Sequence, residues 1–151
     1  MAGNCYKKFD RDENWGNAQA YCRKELAHAD LASINSEYEH SYVKRVLGYE
    51  NPGDREDYWI GLNDRLTSGN FIWSDGSRLT FNQGWNEGEP NNIGIENCVE
   101  YDGVLGGWND DDCSTRQPFL CKARASRDES GQPEIPILTT PAPNRKNSFS
   151  F

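Results

Sequence analysis

The sequence predicts an α+β domain on two observations. Both segments with helical periodicity lie before Gly48, and the remainder breaks into short apolar or aromatic runs separated by Gly, Asn, Asp and Pro. At 151 residues the chain suits one domain with a core of ordinary size. The first helix begins after Asn14, a good N-cap, and sets Trp15, Ala18, Cys22 and Leu26 on one stripe, so Cys22 should face the core. The second follows Ser36, where "SEYE" places a Glu three residues after a capping Ser, and Gly48 supplies the stop. After "YENPGDRED" comes "YWIGL", an aromatic and β-branched run that reads as a buried strand. "NFIWSDGSRLTF" reads as two strands about a turn at Asp75-Gly76, and Asn82 to Asn97 as a long functional loop. "CVEYDG", "GGWNDDDC" and "QPFLCKA" close the domain as short strands. Residues 1–125 form this domain; residues 126–151, with four prolines and no period, read as a disordered tail or linker.

Charge narrows the function. The net charge of −8 argues against nucleic acid and against an anionic membrane surface as partners. Between Leu79 and Thr115 lie Glu87, Glu89, Glu96, Glu100, Asp102, Asp110, Asp111 and Asp112 with no Lys or Arg, so one segment carries the whole net charge. Acid runs are usually solvated faces or disordered tails. Trp85, Val99, Tyr101 and Trp108 in the same segment argue for a folded region that holds a cation.

Five cysteines occur, Cys5, Cys22, Cys98, Cys113 and Cys121, with no C-x-x-C pair and only two histidines. A structural zinc site or a thioredoxin-type motif is therefore not expected, whereas an extracellular, disulfide-bonded protein is. No apolar run is long enough to span a bilayer, and "MAGNCYKK" lacks the apolar stretch of a signal peptide, so export implies a signal removed or a fragment of a longer chain. No Asn-x-Ser/Thr acceptor for N-linked sugar is present. His28 and His40 have no suggested Ser or Cys partner, and no catalytic role is assigned to them. Trp15, Trp59, Trp73 and Trp108 are expected in the core, while Trp85 stands at the mouth of the long loop.

The loop "NEGEPNNIGIENC" and the segment "WNDDDC" together offer carboxylates and side-chain amides: Glu89, Asn91, Glu96, Asn109 and Asp110. Calcium takes six to eight such oxygens in a loosely prescribed geometry. The same residues fit a polar turn network, and composition alone leaves both readings open.

"WIGL" at Trp59 to Leu62, "EPN" at Glu89 to Asn91, "ENC" at Glu96 to Cys98, "WND" at Trp108 to Asp110 and the order of the last four cysteines together resemble the C-type lectin-like domains, the carbohydrate-recognition modules of animal lectins. Each feature is weak alone; the set in this order is specific. The resemblance covers Cys5 to Lys122 and implies a fold of two helices, antiparallel sheets and a long calcium-binding loop, with bridges Cys22–Cys121 and Cys98–Cys113. It also implies a principal calcium on Glu89, Asn91, Glu96, Asn109 and Asp110, and a cis peptide bond before Pro90. "EPN" goes in this family with mannose, fucose, N-acetylglucosamine and glucose, whose vicinal equatorial hydroxyls replace water on the metal. Glu89 and Glu96 would then accept, and Asn91 and Asn109 donate, hydrogen bonds to the sugar, with Ile93 as an apolar contact or a loop-packing residue.

Two departures matter. The ligands of a second calcium would be Asp64, Ser68, Asn92 and Asn97 with the Glu96 carbonyl, but Ser68 and Asn97 stand where acids are common, which weakens that site. Cys5 is left over, orphaned or free to bridge a second copy into a homodimer, which would raise avidity. The function expected is therefore calcium-dependent glycan binding without catalysis, in a secreted or cell-surface setting and without membrane insertion. A glycosidase pair of Glu89 and Glu96 is discounted, since metal ligation keeps both ionised. A protein-binding module and an ice-binding protein on the same fold are the alternatives.

Overall fold

The computed structural model describes residues 3–50, 55–92 and 94–124. The expected tail and Ile93 lie outside the described residues. Strand β1 (Asn4–Glu13) leads into helix α1 (Trp15–Glu25), strand β2 (Ala29–Leu31) and helix α2 (Glu37–Val46). Strands β3 (Tyr58–Asn63), β4 (Ile72–Trp73), β5 (Cys98–Tyr101), β6 (Trp108–Asp111) and β7 (Gln117–Arg124) follow.

Both helices start at the anticipated caps. The Asn14 side chain accepts from the Asn17 N–H at 2.8 Å, and the Ser36 hydroxyl from the Glu39 N–H at 3.1 Å, each satisfying an otherwise orphaned donor of the first turn. Charges favour α2 at both ends, with Glu37 and Glu39 in its first turn and Lys44 and Arg45 in its last. Gly48, at φ 79°, adopts the left-handed backbone that stops it.

The strands join in one sheet of order β1-β7-β3-β5-β6, with β2 added to β7 and β4 to β3. Pairing is antiparallel except for Trp59 opposite Phe119, so the sheet is mixed. Alternation along the strands builds a core on each face. Tyr58, Ile60 and Leu62 of β3, Val99 and Tyr101 of β5, Trp108 of β6 and Leu120 of β7 pack with Val43 and Leu47 from the α2 region. Trp59, Phe119, Cys121 and Cys98 pack with Trp15, Ala18 and Cys22 of α1. Trp15, Trp59, Trp73 and Trp108 are all buried, as expected.

The disulfides are Cys22–Cys121, which ties α1 to β7, and Cys98–Cys113, which ties the start of β5 to the residues after β6. Cys5 is free and exposed on β1.

Three features differ from expectation, the first being strand β2, which pairs Ala29–Leu31 with β7 between the two helices. The anticipated strand after Asp75-Gly76 does not form. The Asp75 carboxylate accepts from the Ser77 N–H and hydroxyl and from the Ser33 hydroxyl, so side chains take over the role of a ladder there. Strand β1, not anticipated, is an edge strand whose residues are largely exposed, and its pairing with β7 makes it a strand. Among the described residues no helix is long and apolar enough to cross a membrane.

Candidate functional site

The site is assembled on the free edge of β6 by the long loop. Among the described residues of 82–97 there is no helix or strand, and the loop is pinned to β6 through its start. The Trp108 N–H donates to the Gly84 carbonyl at 2.8 Å and the Asn86 N–H to the Trp108 carbonyl at 3.0 Å, a parallel bridge that brings Trp85 beside Trp108. This approach needs glycine. A Cβ on Gly84 would lie 2.2 Å from Trp108 Cε2, and one on Gly107 would lie 2.2 Å from Asn86 Oδ1.

From Asn86 the chain turns back, with the Glu89 N–H donating to the Asn86 carbonyl at 3.0 Å, and passes through a cis Glu89-Pro90 bond. The Asn91 N–H then donates to both Glu89 Oε2 (3.0 Å) and Asp110 Oδ1 (3.1 Å). Asn91 Nδ2 donates to Glu89 Oε1 at 3.2 Å, and the Asn92 N–H to Asp110 Oδ2 at 2.8 Å. Asp110 is fully buried and holds two successive amides of the loop.

Three of the five expected ligands, Glu89, Asn91 and Asp110, are thus in direct contact. Glu96 is near enough for its charge to act on Glu89, whose carboxyl is raised to about 7. Burial is the main cause, followed by the facing Asp110 carboxyl, while the Asn91 N–H pulls the other way. Asn109 joins the group as the chain neighbour of Asp110. Its Nδ2 donates at 3.0 Å to Glu100, a residue that sequence reasoning did not single out. Glu100 is 4% exposed and accepts a second amide donor, Gln117 Nε2, at 2.6 Å. Burial pushes its carboxyl up to about 8, against the pull of these two donors. The signal for Glu100 was present in "CVEY", where it is the one charged residue of a buried strand.

The expected second site is partly gathered. Asp64, 2% exposed, accepts from the Gly69 N–H at 2.8 Å through Oδ2, while its buried Oδ1 has no hydrogen-bond partner among the described residues. The Asn92 amide oxygen faces two more oxygens, Asp64 Oδ2 and the Glu96 carbonyl; turned by half a rotation its nitrogen would donate to them at 3.1 and 3.3 Å. Asn97 meets Asp64 through its carbonyl, which accepts the Asp64 N–H at 3.1 Å. With its amide so turned, Asn92 closes a polar turn with Asp64 Oδ2 and the Glu96 carbonyl, and the unpartnered Asp64 Oδ1 is the atom left to serve a hard cation. Among the described residues no three His, Cys, Asp or Glu side chains form a metal cluster unaided, so asparagine amides and carbonyls must complete any set. Trp85 is half-buried, its ring edge-on to Phe71 at 5.1 Å and its Nε1 donating to Asn82 at 2.9 Å.

The chain as a whole has known relatives. The family described as "Lectin C-type domain" matches residues 11–123. The human CD209 antigen is 38% identical over 146 residues, which is 93% of this chain and 34% of that protein; the chain spans about a third of the length of the CD209 relatives it matches. Among solved structures, the cow C-type carbohydrate-recognition domain of CD23, determined in the presence of a GlcNAc2Man3 oligosaccharide, aligns with a TM-score of 0.71. It is 31% identical, over 83% of this chain and 92% of that one. Herring type II antifreeze protein aligns with a TM-score of 0.73 at 28% identity, over 83% of this chain and 94% of its own. The family match extends from within β1 to within β7 and so includes both disulfides and the whole of the long loop. The chain belongs to the C-type lectin domain family.

Proposed function

We propose that this domain binds glycans in a calcium-dependent manner, preferring sugars with vicinal equatorial hydroxyls: mannose, fucose, N-acetylglucosamine and glucose. The observation that carries this reading is the contact of Glu89, Asn91 and Asp110 on one edge, with Glu96 close by and no Lys or Arg anywhere in residues 79–115. A partly buried carboxyl raised first by desolvation and then by the facing Asp110 is what a cation relieves. Calcium bound there supplies coordination positions for two sugar hydroxyl oxygens.

The protein's own groups do the discriminating. Glu89 and Glu96 accept hydrogen bonds from the hydroxyls, and the amide nitrogens of Asn91 and Asn109 donate them; within the protein Asn91 Nδ2 gives a bond to Glu89 and Asn109 Nδ2 one to Glu100. The pattern favours a sugar whose adjacent hydroxyls each meet one acceptor and one donor. Asp110 ties the loop to β6 so that these groups are held before the sugar arrives. Asp64, Asn92 and Asn97, with the Glu96 carbonyl, are proposed to hold a second, weaker calcium, and the exposed Cys5 to bridge a second copy of the chain.

The deciding experiment is retention on mannose resin. The calcium-loaded protein is expected to bind and to be released by chelator and by mild acid, because the ligands must be deprotonated. Equal retention with and without calcium would sink the proposal. The likeness to herring antifreeze protein makes ice binding the second reading, checked by thermal hysteresis with and without calcium.

A further inference from the structure

Glu100 has no part in the ligand set proposed above, yet it is the carboxylate most directly tied to it. In the β5/β6 ladder Glu100 stands opposite Asn109, so the two side chains share one face of the sheet. One Glu100 oxygen takes Asn109 Nδ2 at 3.0 Å and the other takes Gln117 Nε2 at 2.6 Å. Gln117, at the start of β7, is itself 7% exposed, so it is a fixed clamp on the far oxygen. No Lys or Arg pairs with Glu100 among the described residues. A carboxyl group buried at such cost needs its hydrogen bonds.

An asparagine amide has two faces, and only the oxygen serves a cation. Both Glu100 oxygens meet N–H donors, so the carboxylate is placed as an acceptor, and only the nitrogen of Asn109 is complementary to it. We propose that Glu100, clamped by Gln117, is a positioning residue that fixes the orientation of the Asn109 amide, leaving its oxygen for calcium and its remaining amide proton for a sugar hydroxyl. The inference rests on Asn109 serving the site as proposed above. Groups that orient a metal ligand without touching the metal commonly matter to affinity.

The test compares the wild type with Glu100→Leu and Glu100→Gln, measuring calcium and methyl mannoside affinity by calorimetry and unfolding by urea. Glu100→Leu should weaken binding by about tenfold, and Glu100→Gln should recover most of that loss, since its carbonyl still accepts from Asn109 once the Gln117 amide rotates. A purely packing role predicts the opposite rank, with the apolar Leu the better tolerated. Wild-type affinities in a folded Glu100→Leu protein would overturn the proposal. A second measurement needs no variant. In the wild type with Asn side chains labelled with ¹⁵N, the Asn109 amide proton that is donated to Glu100 should exchange with solvent markedly more slowly than the amide protons of an exposed asparagine such as Asn70. Exchange as fast as Asn70 overturns the proposal even where Glu100→Leu does not fold. If the wild type binds calcium and no mannoside, the proposed function fails on its own, and the calcium affinities and the exchange rates still decide the role of Glu100.

Discussion

His40 shares a hydrogen bond of 2.8 Å between Nδ1 and the Tyr101 hydroxyl. Its ring stacks on Tyr101 at 5.6 Å and meets the edge of Trp108 at 6.1 Å, one residue before Asn109. Burial, helped by Lys44 and opposed by Glu37, holds its pKa below the ordinary 6.5. The folded state therefore prefers the neutral ring; this contribution to stability is present above 6.5 and is lost as pH falls through the depressed folded value. The urea midpoint should drop between about pH 7.5 and about pH 5, and His40→Gln should flatten that drop. An unchanged slope in the variant would show that the carboxylates alone set the acid limit. Gly84 makes a steric prediction at the same scale. Gly84→Ala would drive a methyl group into Trp108, which is 0% exposed and cannot yield, so a loss of about 1–3 kcal/mol in urea unfolding is expected, with weaker calcium binding.

Strand β6 carries two of the proposed ligands, Asn109 and Asp110, and three devices hold it: the ladder with β5, the bridge to Gly84, and Cys98–Cys113. Replacing both cysteines by serine releases a loop of 15 residues and should cost about 3 kcal/mol, read as a shift in the urea midpoint, together with calcium affinity as Asp110 loses its register. What was legible in the sequence at this scale follows from locality. The helices were readable because Asn14, Ser36 and the stripe of Trp15, Ala18 and Cys22 are local signals. The loop was readable because Glu89, Pro90 and Asn91 are adjacent in sequence. Strand β1 was not, since "NCYKKFDRDE" interleaves charge with aromatics and becomes a strand by meeting β7. Glu100 and Gln117 were missed for the same reason, because their meeting depends on the register of strands far apart in the chain.

Across the whole molecule, charge is as unevenly placed as chemistry. The segment from 79 to 115 carries the entire −8 while the rest balances, so a calcium ion approaching β6 meets a one-signed field. Raising salt from about 0.05 M to about 0.5 M should weaken calcium binding severalfold in calorimetry, as screening removes the long-range part of that field. The placement of β1 has a practical consequence of its own. Asn4 pairs with Arg124, and these strands begin the sheet order that β6 ends. A bead or fusion partner attached at Asn4 or Arg124 is therefore anchored on the side of the sheet away from β6, and either attachment should leave the edge proposed for sugar open to a glycan surface.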